Sequence, residues 1–177
     1  MSNNNNHPLG QAPWFHVIFS TGLGTGFCPG APGTVGAFLA LLIWYGLWWC
    51  VSVPVLFWIT IALVVVTTVA GAWTSEVMER YWGEDPRTVV IDEFVGTWIP
   101  CVVAGVAGAP VETAVLGFFG FAMFRIIDIV KTPLCRKLER VPHGWGVMLD
   151  DVLAGVYALG LTLVLRLILT GNLSGIC

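Results

Sequence analysis

Long apolar runs alternate with short polar islands along this chain. Five runs carry little or no charge: Val35–Val51, Val55–Trp73, Phe94–Ala109, Thr113–Val130 and Val152–Thr170. Each approaches the ~20 residues that a helix needs to cross a bilayer, the third being the shortest. Ser52-Val53-Pro54 separates the first two runs, and Gly108-Ala109-Pro110 separates the third from the fourth. The pattern predicts an all-α, polytopic membrane helical bundle of about five spans, two hairpins followed by a C-terminal span.

The polar islands fall at regular places in that scheme. Thr21–Gly36 holds six Gly and two Pro in sixteen residues and reads as a loop, with Thr34 as the expected N-cap of the first span. Thr74–Glu93 reads as a short amphipathic helix followed by a turn at Gly83–Pro86. Lys131–Leu149 reads as a second polar loop. With five crossings, all three islands lie on one side of the membrane, and removing one crossing would split them. Seven of the eight Lys and Arg residues are on that side, and the loops at 52–54 and 108–112 have none. The excess of positive charge predicts that this side is cytoplasmic.

Composition agrees with the membrane reading. The chain of 177 residues is 56% hydrophobic and 11% charged, with a mean hydropathy of +0.83. An ordinary soluble domain carries about 25% charged residues. The net charge of −3 excludes a nucleic-acid footprint. Five scattered cysteines at 28, 50, 101, 135 and 177 never form CxxC, which argues against zinc and against a disulfide framework. Residues 1–13 read as a disordered polar lead, and 14–177 as a single membrane-embedded domain. Within that domain, Trp14–Ser20 is too short to span and suits the interface. Trp73, Trp82, Trp98 and Trp145 are expected as interface anchors.

Charge is scarce enough that its clustering carries information. Phe124–Asp151 contains five of the eight cations and four of the eleven acids. Asp92-Glu93, Asp128 and Asp150-Asp151 stand at three helix ends on the same side. Singly, each acidic pair is explained by a helix N-terminus, where negative charge is favourable. Together, five carboxylates suit magnesium or manganese, which take a few carboxylates, waters and substrate phosphate. Neighbouring acids on a helix point about 100° apart, so each pair is expected to give one metal ligand and one outward partner. Arg125, Asp128 and Lys131 follow an i, i+3, i+6 spacing that places them on one helix face. A salt-bridge ladder at the membrane edge is the structural reading. The functional reading is a phosphate clamp, with Arg125 bidentate and Lys131 a point charge. The Gly-rich loop, with Gly33 and Thr34 at a helix start, suits an anion cradle to which Ser20, Thr21 and Thr25 could add donors. His143 is a candidate general acid. Cys135–Val141 looks the most dispensable part of its island.

Four segments carry a resemblance: GLGTGFCPGAPGTVGA (Gly22–Ala37), VVIDEFVGTWI (Val89–Ile99), FRIIDIVKTPLCRKLE (Phe124–Glu139) and HGWGVMLDDVLAGVYA (His143–Ala158). In this order they resemble the phosphatidylglycerophosphatase A family of bacterial lipid phosphatases, over about Trp14 to Leu165. Two departures are small: Ala37 follows Gly36, and the family's Lys-Pro is here Lys131-Thr132-Pro133. The resemblance implies magnesium-dependent hydrolysis of phosphatidylglycerophosphate to phosphatidylglycerol and phosphate, in phospholipid biosynthesis at the bacterial inner membrane. Asp92, Glu93, Asp128, Asp150 and Asp151 would hold the metal. Asp92, Asp128, Asp150 and His143 would be catalytic. Arg125, Lys131, Thr34 and Gly33 would bind the phosphate. No obligate protein partner is expected. Two competing readings are a membrane cation transporter using the same carboxylates and a phosphatase of another lipid phosphate.

Overall fold

The computed structural model describes residues 12–83, 86–107, 109–138, 141 and 144–173. Among them the regular elements are helical: α1 (Trp14–Ser20), α2 (Pro32–Cys50), α3 (Val53–Trp82), α4 (Ile91–Ala104), α5 (Pro110–Val130), α6 (Cys135–Leu138) and α7 (Trp145–Leu173), with a 3-10 turn at Thr25–Phe27. The helices α2, α3, α5 and α7 are long and apolar enough to cross a membrane. Their outward faces are apolar as well. Val65, Val66 and Val69 on α3, Phe118 and Ile129 on α5, and Val164 and Leu167 on α7 are all exposed. Helices that are apolar on the outside belong in lipid, where their backbone bonds are satisfied within the helix.

The helix boundaries depart from the sequence expectations in three places. α3 does not stop near Trp73 but runs unbroken through the polar stretch to Trp82. No Gly or Pro falls within the polar stretch 74–82, and Gly83, with a left-handed φ of 89°, ends the helix. The third expected span, 94–109, is instead a helix of 14 residues. At about 1.5 Å per residue it is some 21 Å long, short of the ~30 Å hydrocarbon core. α7 begins seven residues before the expected span, so Asp150 and Asp151 lie inside its second turn.

Short as it is, α4 is the centre of the bundle. It packs against α2, α3, α5 and α7, and twelve of its residues are buried, from Ile91 to Ala104. Trp98, expected at the interface, is only 5% exposed and donates its indole N–H to the Ala40 carbonyl of α2 at 2.9 Å. Trp73 and Trp145 are exposed, as expected. α4 and α7 cross in close contact, because Gly155 presents only a hydrogen where a Cβ would stand 2.8 Å from the Gly96 carbonyl oxygen. Beyond α4 the chain reaches the far end of the bundle. There Arg166 of α7 donates to the Val106 carbonyl at 2.7 Å and pairs with Glu112 at 3.6 Å. Non-helical backbone at this depth is tolerated because protein groups satisfy it. The other ends of α2, α4, α5 and α7 meet at the opposite pole, where the polar islands converge.

Candidate active site

The converging helix ends enclose a cavity of about 420 Å³. It is walled by the α2 start, the segment before α4, the first turn of α4, the end of α5 and the second turn of α7. Every carboxylate singled out in the sequence, Asp92, Glu93, Asp128, Asp150 and Asp151, lines it, as do Gly33, Thr34, Arg125 and Lys131. His143 lies outside the described residues.

Asp128, Asp150 and Asp151 form the tightest group, each offering a carboxylate oxygen within 4.8 Å of the others. Ligands on opposite sides of a magnesium ion stand about 4.2 Å apart, twice a bond of ~2.1 Å. The trio is therefore close to a cation-holding arrangement, to which both members of the Asp150-Asp151 pair offer an oxygen. Asp151 is 4% exposed and its Oδ2 is buried without a hydrogen-bond partner in the protein. Asp92 Oδ1 is in the same position. Buried carboxylate oxygens without donors are costly, and a cation is the natural partner for them.

The basic groups are interleaved with these acids. Arg125 Nη1 is ion-paired with Glu93 and with Asp128, the latter at 3.0 Å. Its Nη2 donates to Thr34 Oγ1 at 3.3 Å. This guanidinium therefore ties α2, α4 and α5 together. Glu93 shares Arg125 with Asp128 and is not among the three closest carboxylates. Gly33 leaves room for that pair, since a Cβ there would run into the Glu93 carboxylate.

Lys131 is not on the α5 face expected from its spacing. It is the residue that ends the helix, with a φ of 47°. Left-handed backbone costs a non-glycine residue about 1–2 kcal/mol, so a lysine here is unusual. The bend turns its ammonium toward Asp150 Oδ2, 3.3 Å away. The helix had to stop for Lys131 to face α7.

The electrostatics favour an added cation. Five carboxylates and three cations, Arg87, Arg125 and Lys131, line the cavity, a formal excess of two negative charges. In the first turn of α4, outside the four long spans, burial pushes Asp92 well above the usual carboxylate range. Burial also raises Glu93, to about 7, against the pull of Arg125. Such clusters of perturbed carboxylates mark functional sites.

The Gly-rich loop contributes less than expected. Gly30–Thr34 line the cavity, and α2 starts at Pro32 with Ala31 as its N-cap, so Thr34 sits within the first turn. The first N–H groups of α2 have no intrahelical partner and suit an anion. Ser20, Thr21 and Thr25 are not donors to the cavity. Their hydroxyls bond the carbonyls of Val17 and Gly22 at 2.7–3.4 Å. Cys135, expected to be dispensable, is fully buried against Phe124, Ala37 and Ala154. It anchors the loop that carries Lys131. Arg87 also lines the cavity, and in the sequence it sits in an ordinary charged turn that carries no signal of that place.

Comparison with known proteins agrees with the motifs. A family profile for phosphatidylglycerophosphatase A matches residues 18–166. A protein of Bacteroides thetaiotaomicron described as a putative phosphatidylinositol-3-phosphatase is 47% identical, over 85% of this chain and 92% of its own. The phosphatidylglycerophosphatase A proteins of Escherichia coli and Haemophilus influenzae are 32% and 31% identical, over 84% and 86% of this chain and 81% and 91% of theirs. No solved structure matches. These relatives are phosphatases, which sets aside the transporter reading. With its membrane-type helices and its acid-lined cavity at one pole, the chain belongs to the phosphatidylglycerophosphatase A family and is a lipid phosphatase.

Proposed function

We propose that this protein hydrolyses the terminal phosphomonoester of phosphatidylglycerophosphate in a magnesium-dependent reaction, at the cytoplasmic face of a bacterial inner membrane. The observation that carries this reading is the meeting of Asp128, Asp150 and Asp151 with Arg125 and Lys131 in one cavity at one end of a bundle of apolar helices. A phosphomonoester near neutral pH bears between about −1.5 and −2 charges. It cannot approach five carboxylates unless cations intervene.

Asp128, Asp150 and Asp151 are the residues that would hold magnesium, and their donor set of oxygens suits a hard cation. Bound magnesium supplies neutralisation of phosphate oxygens and Lewis acidity. The residues of the chain do the rest. Arg125, held in place by Glu93, Asp128 and Thr34, presents its fork to the phosphate. Lys131 adds a second positive charge beside Asp150. The α2 N-terminus adds backbone donors. Asp92, buried in the cavity wall with an oxygen that no protein donor reaches, would add a further carboxylate oxygen toward the cation. The P–O bond to the lipid breaks, water provides the hydroxyl of the released phosphate, and the acyl chains remain in the bilayer.

A second reading, the same reaction on a phosphoinositide, is favoured by the 47% identical relative described as a putative phosphatidylinositol-3-phosphatase. One experiment separates the two. Purified protein in detergent is given phosphatidylglycerophosphate or phosphatidylinositol 3-phosphate, with magnesium or with a chelator, and released phosphate is measured. Faster magnesium-dependent release from the first lipid is expected. Release that persists in chelator would refute the metal requirement, and preference for the second lipid would reassign the substrate.

A further inference from the structure

Two of the three cations lining the cavity are engaged by its carboxylates, Arg125 by Glu93 and Asp128, and Lys131 by Asp150. The third, Arg87, is exposed, and among the described residues it forms no ion pair or hydrogen bond. Its backbone is nevertheless well fixed. The Val89 N–H closes a turn on the Pro86 carbonyl at 2.8 Å, and the Val90 N–H bonds the Ser20 carbonyl at 2.8 Å. The hydrogen-only face of Gly26 packs directly on the Thr88 carbonyl. A guanidinium that the described residues leave without a partner, on an anchored turn, is a pre-organised receptor for an oxyanion. The cavity wall also includes Ile129, which is 69% exposed on the outward side of α5. The mouth is thus basic at one place and apolar at another, as a lipid head group joined to acyl chains requires.

We propose that Arg87 is a second phosphate site, which binds the phosphodiester linking the substrate's polyol to diacylglycerol. The inference rests on the lipid-phosphatase reading of the same cavity and adds the class of lipid accepted. The monoester sits among Arg125, Lys131 and the carboxylates. The diester stays at the mouth on Arg87, and the acyl chains leave past Ile129. The enzyme then selects lipids that carry two phosphates separated by a polyol, and discriminates against those whose only phosphate is joined directly to diacylglycerol.

The test uses the full-length protein in detergent micelles with Arg87→Gln and Arg87→Lys. KM and kcat are measured for phosphatidylglycerophosphate. The inhibition constant of inorganic phosphate reports the monoester site alone, and the unfolding temperature reports folding. Loss of one charge-assisted hydrogen bond should raise KM about 10- to 100-fold in Arg87→Gln and less in Arg87→Lys. kcat, the inhibition constant of phosphate and the unfolding temperature should stay near wild type. An unchanged KM would overturn the proposal. So would a parallel rise in KM and in the phosphate inhibition constant, which would move Arg87 into the monoester site. If the wild-type protein released no phosphate from either phosphatidylglycerophosphate or phosphatidylinositol 3-phosphate, the lipid-phosphatase reading would fall and this inference with it.

Discussion

Asp150 shows how much one residue's meaning depends on its neighbours. As part of an Asp-Asp pair near a helix start it has a plain explanation in the helix dipole. In the folded chain it is 5% exposed, within 4.8 Å of Asp128 and Asp151 oxygens, and 3.3 Å from the Lys131 ammonium. Asp150→Asn keeps the shape of the side chain and removes its charge. Losing a partner one shell out from a metal typically costs 10–100-fold, so losing a ligand should cost at least about 100-fold in phosphate release. Insertion and the unfolding temperature should change little. Near-normal turnover in the variant would remove Asp150 from the chemistry. The residue-level chemistry was legible in the sequence because charge is so rare in this chain. The division of labour was not, because Glu93 goes to Arg125 while its neighbour Asp92 keeps a buried, unpartnered oxygen.

At the scale of elements, close packing around α4 sets the position of the carboxylates. Gly155 lies about one turn beyond Asp151 and touches the α4 backbone, where an added Cβ would stand 2.8 Å from the Gly96 carbonyl oxygen. Gly160, on the same helix, has nothing within 4 Å of an added Cβ. Gly155→Ala and Gly160→Ala therefore share the same gain in helix propensity, up to about 1 kcal/mol, and differ in the clash. Overpacking costs about 1–3 kcal/mol, so it should outweigh that gain at 155 alone. Thermal unfolding in detergent should fall for Gly155→Ala and hold or rise for Gly160→Ala. Equal behaviour of the two would show that the α4–α7 crossing is not tight. This contact was hidden in the sequence, where neither glycine stands out from the apolar run around it. Gly96 and Gly155 are far apart in the chain, and only the folded bundle brings them together.

For the whole molecule, the arrangement has a consequence for topology. The polar islands gather at one pole, and Arg166, Glu112 and Val106 mark the other. Reporter fusions after Gly108 and after Cys177 should therefore report one compartment, the outside, and a fusion after Gly83 the other. A fusion after Gly108 that reports the same side as Gly83 would break the crossing scheme.

The sequence by itself determined the class of the fold and the residue types of the site. In lipid, uncharged runs of this length satisfy their backbone within helices, and the few charges must then gather where water and head groups are. Counting crossings put those charges on one side. Tertiary structure alone decided how they are paired and aimed. α5 ends at Val130 and Lys131 takes a positive φ, which turns it to Asp150. α7 begins early, so Asp150 and Asp151 both enter the cavity. α4 is short because it is enclosed by four other helices and need not face lipid along its whole length. These outcomes depend on contacts between residues distant in sequence, and hydropathy along a chain carries no information about them.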